Sequence, residues 1–130
     1  MTPEAKVKKR VKATLSRLGV YYFMPIGGPF STAGVPDIVC CIQSHFVGIE
    51  CKAKGNTVTA LQRRHLEQIT ANYGVAVIVD ETCLDILERF LEELVNLNHP
   101  PSKSHIAGVL ELTYRKYNGK TQDKGQESGG

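Results

Sequence analysis

No apolar run in the 130 residues approaches the ~20 that a bilayer-spanning helix requires. The basic start, MTPEAKVKKRVK, leads into no apolar segment, so neither a secretory signal nor a membrane partner is expected, and the reading is cytoplasmic. The four cysteines, Cys40, Cys41, Cys51 and Cys83, form no C-x-x-C pair, and no histidine lies at finger-like spacing from them. That argues against structural zinc and for reduced thiols, three of them set in apolar runs as small buried hydrophobes. No internal repeat is present, so a repeat architecture is set aside. What is there, 42% apolar and 22% charged residues, suits one compact globular domain over residues 1–117. A polar, Gly-rich tail over 118–130 is expected to be disordered.

The net charge of +3 is small but unevenly laid out. Residues 1–20 carry Lys6, Lys8, Lys9, Arg10, Lys12 and Arg17 against Glu4 alone. Residues 80–97 carry Asp80, Glu81, Asp85, Glu88, Glu92 and Glu93 against Arg89 alone. Either these are solvated helix faces, or one end of the fold attracts phosphate and another repels it.

Periodicity predicts a first helix from Pro3 to Leu18, capped by Thr2, ended by Gly19 and striped by Val7, Val11, Leu15 and Leu18. Glu4 extends that stripe. A short strand follows at Val20 to Met24, then a loop of turn formers over 25–34. Two apolar runs, Asp37 to Ile42 and Phe46 to Ala53, read as a hairpin. A second helix runs from a Thr59 cap to Tyr73, a buried strand over Val75 to Val79, and a third helix from Asp85 to Leu97, stopped by Pro100 and Pro101. Val109 to Tyr117 is expected to add a strand. The order predicts an α/β fold, a central mixed β-sheet flanked by helices.

Charges inside a strand that ought to be apolar carry the chemistry. Glu50 and Lys52 lie two residues apart and so share a face, while Val47, Ile49, Cys51 and Ala53 take the other, which must be core. A two-residue turn at Ser44 and His45 pairs Asp37 with Lys52 and sets Asp37, Glu50 and Lys52 on one face. An odd loop, with Ile42 opposite Phe46, would put Asp37 opposite Cys51 and on the wrong face. Two carboxylates suit Mg²⁺ or Mn²⁺, and an ammonium beside them suits phosphodiester hydrolysis. An exposed cross-strand salt bridge is the competing reading.

Val35-Pro36-Asp37 followed by Ile49-Glu50-Cys51-Lys52 resembles the PD-(D/E)XK nuclease signature. Glu4 on a basic first helix, Gly34 ahead of the P-D pair, and Leu61-Gln62 opening the next helix resemble the VRR-NUC family of that superfamily, over roughly residues 4–80. The resemblance implies a restriction-endonuclease-like fold in which Asp37, Glu50 and the main-chain carbonyl of Cys51 hold the metal. It further implies Lys52 as the catalytic lysine, Glu4 near the metal and Gln62 beside Lys52. Lys8, Lys9, Lys12, Lys54, Arg63 and Arg64 become backbone-phosphate contacts, with solvated surface as the alternative for each. His45 and His65 have no implied part.

Small stand-alone relatives in that family resemble phage and bacterial enzymes that act as homodimers on branched DNA, notably Holliday junctions. The resemblance therefore implies a Mg²⁺-dependent, junction-resolving endonuclease with no small-molecule cofactor. Cutting of flaps, nicks or duplex DNA stays open, as does a non-catalytic DNA-binding module with the same fold. Beyond Asn98 no family feature is recognised.

Overall fold

The computed structural model describes residues 1–97 and 108–116. Helix α1 spans Pro3–Arg17, and the Thr2 hydroxyl accepts a hydrogen bond from the Ala5 amide at 3.1 Å, with Pro3 in the first turn. Three antiparallel strands follow: β1, Tyr21–Phe23; β2, Ile38–Ile42; β3, His45–Cys51. Helix α2, Ala60–Ala71, leads to β4, Val75–Val79, and α3, Leu84–Val95, leads to β5, Leu110–Leu112. Strands β3, β4 and β5 are parallel, and the mixed sheet has the order β1-β2-β3-β4-β5. The α/β class and the mixed sheet expected from the sequence are observed.

Alternation along the strands assigns the faces. Ile38, Cys40, Val47, Ile49, Cys51, Val75, Val77 and Val79 pack with Val7, Val11 and Leu15 of α1 and with Leu87, Leu91 and Leu94 of α3. The opposite face carries a smaller cluster, in which Leu66 of α2 meets Ala76 and Ile78. All five residues of β4 are buried, as an unbroken apolar run between two layers requires. α2 lies close because two glycines admit it. A Cβ on Gly48 would come 2.8 Å from Ile69, and one on Gly34, already at φ +85°, would come 2.6 Å from Leu61.

Three expectations are corrected. The hairpin turn is Gln43-Ser44, both at positive φ, rather than Ser44-His45, so Ile42 pairs with His45 and Val39 with Gly48. The loop still has two residues, so the facing parity survives; continuing the register one step sets Asp37 opposite Glu50 instead of Lys52. The final strand is three residues long, followed by one helical turn at 114–116, where a run to Tyr117 was expected. The third helix ends at Val95, before Leu97. The expected Pro100-Pro101 stop and the expected tail over 118–130 lie outside the described residues.

The uneven charge also resolves. Arg10 of α1 bonds Glu88 of α3 at 2.8 Å and lies 3.5 Å from Asp85, while Arg17 bonds Glu92 at 2.9 Å. Two of the six basic residues of the first helix, Arg10 and Arg17, therefore face the acidic third helix along a polar seam, and that part of its charge serves to pack the two together.

Candidate active site

Glu50 is the chemically unusual residue. It sits in β3 at 2% exposure on the α2 face of the sheet, flanked in sequence by Ile49 and Cys51 of the apolar core. Its Oε1 accepts a bond of 3.4 Å from Gln62 Nε2 and lies 3.9 Å from Lys52 Nζ. Its Oε2 is fully buried and has no hydrogen-bond partner. Burial first, then the adjoining Asp37 carboxylate and the negative charge of Glu4, push the Glu50 carboxyl up to about 8, against the opposing pull of Lys52. Two neighbouring carboxylates ionise together only at a cost. The orphaned oxygen thus calls for a proton or a cation.

Asp37 stands just ahead of β2, at the end where β2 meets β3. Its Oδ2 accepts from the Cys51 amide at 2.8 Å, and its Oδ1 lies 3.4 Å from Lys8 Nζ. Lys8 also reaches Glu4 at 3.7 Å, one helical turn back. Partial burial lowers the Lys8 pKa, but Asp37 and Glu4 outweigh it, and the net shift is upward. The first turns of α1 therefore bring both Glu4 and Lys8 to the carboxylates. Lys8, expected as a phosphate contact, is tied to Asp37; the i, i+4 spacing of Glu4 and Lys8 was the available signal.

Gln62 has two jobs set by one amide. The Thr59 hydroxyl accepts from the Gln62 backbone N–H at 3.1 Å, and Gln62 Oε1 accepts from the Thr59 backbone N–H at 2.9 Å, a complete capping box. With its oxygen engaged, the side chain can only present N–H groups to Glu50. The same bonds that start α2 orient the donor on the buried carboxylate.

The expected metal ligands can be tested against this geometry. Among the described residues no group of three His, Cys, Asp or Glu side chains is placed to hold a metal ion. Asp37 and Glu50 supply two carboxylates, one with a buried, unpartnered oxygen, and Cys51 supplies a main-chain carbonyl at the end of β3. That donor set is all oxygen and incomplete, which fits Mg²⁺ or Mn²⁺, ions that keep several waters, and does not fit zinc. The Cys51 thiol is buried, and burial, followed by Asp37 and Glu50, drives its pKa up, so it is no thiolate ligand.

The six expected phosphate contacts divide. Lys8 is engaged as above, and Arg63 is bonded to Glu111 of β5 at 2.8 Å. Lys54 lies over the Tyr114 ring, 4.2 Å from its centre. Among the described residues Lys9, Lys12 and Arg64 form no ion pair. In the sequence Asp80 is only one acid in a run; the structure gives it more. It is buried at 2% exposure, and its carboxylate accepts from the Thr82 amide and hydroxyl and, at 2.9 Å, from the Tyr114 amide. A Thr two residues after an Asp at a strand end was the sequence sign of that turn.

No helix of the described residues is long and apolar enough to cross a membrane. Compared with protein-family models, curated proteins and solved structures, the chain matches none.

Proposed function

We propose that this chain is a divalent-metal-dependent endonuclease that hydrolyses DNA phosphodiesters, with Asp37 and Glu50 as metal ligands and Lys52 as the catalytic lysine. The observation that carries the reading is Glu50: a carboxylate at 2% exposure, with one oxygen unpartnered, opposite Asp37 and beside Lys52. A structural salt bridge would not need a second carboxylate pressed against the first, which raises the cost of ionising it. A cation held between them removes that cost.

Asp37, fixed by the Cys51 amide, and Glu50, fixed by Gln62, would hold Mg²⁺ or Mn²⁺ with the Cys51 carbonyl. The bound ion supplies Lewis-acid polarisation of the phosphodiester and a more acidic water. Lys52, 12% exposed, orients the attacking water and offsets the charge growing on the phosphoryl oxygens. Glu4 and Lys8 tune the charge at Asp37. These roles match those implied by the VRR-NUC resemblance, and with them comes the proposal of a homodimer acting on branched DNA. The exposed aromatics Tyr21, Phe23 and Phe46, with Ile26 and Phe30 on the loop before Asp37, support an apolar surface on which a second copy can pair.

The test is cleavage of a four-way junction, a flap, a duplex and a single strand, each with Mg²⁺ and with chelator, by the wild type, Glu50→Gln and Lys52→Ala. Metal-dependent cutting is expected, strongest on the junction. Both variants should lose several orders of magnitude in single-turnover rate, as removal of transition-state electrostatics does (~10²–10³ or more). In Ca²⁺, Glu50→Gln should still bind. Near wild-type cutting by Glu50→Gln would sink the assignment. Light scattering that gives a monomer with junction cutting intact would remove the dimer.

A further inference from the structure

Most basic side chains near the site are already neutralised. Lys8, Lys52 and Arg63 each meet a carboxylate, as do Arg10 and Arg17 farther along α1. Lys54 differs. It follows Lys52 by two residues where the chain leaves β3, and among the described residues its ammonium pairs with no acid. It rests instead over the ring of Tyr114, 4.2 Å from the centroid. An aromatic face attracts an ammonium and orients it without cancelling its charge. A cation held this way is ready for an anion.

The backbone that carries that ring is held from several sides. Tyr114 follows β5, and its amide donates to buried Asp80 at 2.9 Å. Asp80 follows β4 directly; its own amide donates to the Leu112 carbonyl at 3.2 Å, and its carboxylate also takes the Thr82 amide and hydroxyl. From the other side, the Lys54 amide donates to Glu81 at 2.8 Å, and the Lys52 amide to the Val79 carbonyl at 2.9 Å. The exits of β3, β4 and β5 are thereby bolted together beside Lys52.

We infer that Tyr114 is a positioning residue that holds the Lys54 ammonium beside the nuclease centre as a contact for a DNA backbone phosphate. The C-terminal segment around β5 is then part of the DNA site and not only an added edge strand. This rests on the nuclease reading.

The experiment is junction binding in Ca²⁺ across a salt series, with cleavage in Mg²⁺, for Lys54→Ala, Tyr114→Leu, Tyr114→Phe and the Lys54→Ala/Tyr114→Leu double variant. Lys54→Ala should weaken binding and reduce the slope of log affinity against log salt by about 0.9, the release of one phosphate's counterion. Tyr114→Leu should cost about 2–5-fold in affinity through Lys54, Tyr114→Phe nothing, and the double variant no more than Lys54→Ala alone. Cleavage at subsaturating enzyme should fall in step with affinity for Lys54→Ala and Tyr114→Leu. Additive losses in the double variant, or wild-type binding by Tyr114→Leu in a protein that binds and cuts, overturn this inference and leave the nuclease reading standing. Absence of both binding and cutting in the wild type overturns both. If Tyr114→Leu does not fold, proton NMR of the wild type replaces it. The Lys54 Cε protons, identified by their loss in Lys54→Arg, should show an upfield ring-current shift that changes on adding junction DNA. No such shift, or no response to DNA, overturns the inference.

Discussion

Strand β3 separates two interiors built on opposite terms. On one face Val47, Ile49 and Cys51 lie in a broad apolar core between α1, α3 and the sheet. On the other, Phe46, Gly48, Glu50 and Lys52 run from an exposed ring through a filled gap to a buried acid. The apolar face is satisfied as it stands. The α2 face ends on an unpartnered oxygen, a raised carboxyl and a second carboxylate opposite. A fold that can bury a whole row of Val and Ile has no structural need to bury Glu50, so the second face is where stability has been given up. Such conflicts between local rule and global fold concentrate at working sites.

Substitutions on neighbouring residues should therefore have opposite signs. Ile49→Ala removes a fully buried side chain from the larger core and should cost about 2–5 kcal/mol in chemical denaturation. Glu50→Gln, one position on, should stabilise the metal-free protein, because the amide can donate to Asp37 where the carboxylate repels it. If Glu50→Gln melts earlier than wild type in chelator at pH 8, the two faces are alike, and Glu50 is part of a favourable salt bridge.

The size of the Glu50 effect should follow pH. In the folded chain Glu50 keeps its proton up to about 8, whereas an ordinary glutamate loses it near 4.5. Between those values the folded state binds the extra proton, so its stability falls as pH rises, by at most about 1.4 kcal/mol per pH unit, and levels off above about 8. The advantage of Glu50→Gln in melting temperature should grow from pH 4.5 to 8 in chelator and then stay flat. Millimolar Mg²⁺ should raise the wild-type melting temperature at pH 8 and leave the variant unmoved. A gap independent of pH would mean that Glu50 ionises normally.

Gln62 sharpens the comparison on a smaller scale, since it serves both the helix and the site. Gln62→Glu retains the capping box but replaces the donor on Glu50 with a third carboxylate, whereas Gln62→Ala keeps the Thr59 hydroxyl bond to the backbone and loses the Oε1 bond and the donor on Glu50. Thermal stability should fall by about 0.5–1.5 kcal/mol for the alanine variant, the net worth of a hydrogen bond. The glutamate variant should keep the helix but shift the pH dependence of melting further upward. Equal pH profiles for the two variants would place Gln62 in the cap alone.

Much of this arrangement was legible in the sequence, and the reasons differ by residue. Helix α1 was readable because Thr2, Pro3 and a 3.6-residue stripe agree. The pairing of Glu50 with Lys52 was readable because a strand's period of two leaves no freedom. The hairpin register was readable only to its parity. Gln43 and Ser44 both take positive φ, a conformation that Asn-Gly would have announced and that these residues do not. The partners of the basic residues were not readable. Arg10 of α1 and Glu88 of α3 are 78 residues apart in sequence, and charge counts carry no information about which face meets which. Tyr114 and Asp80 were hidden for the same reason: their bond joins the ends of two parallel strands across a crossover.

The seam between α1 and α3 supplies the smallest test, and it sets ordinary electrostatics against the Glu50 site. Glu88 accepts from Arg10 Nε at 2.8 Å and from the Thr14 hydroxyl at 3.2 Å, and the bond from Arg10 leads the interactions that hold its carboxyl below the usual value, against the opposing effect of burial. Its folded pKa is thus depressed, the reverse of Glu50. The stability it contributes is present at neutral pH and is lost as pH falls from the ordinary glutamate range through the lower folded value. Glu88→Gln should lower the melting temperature at pH 7 by only about 2 °C, as a solvent-facing ion pair allows, and by less in high salt. At pH values below the depressed Glu88 pKa the variant and the wild type should melt together. Glu50→Gln should follow the opposite course, gaining as pH rises and responding less to salt because the carboxylate is only 2% exposed. If the two glutamine variants trace the same pH curve, the buried carboxylate is no different in kind from a surface ion pair, and the contrast between the two regions fails.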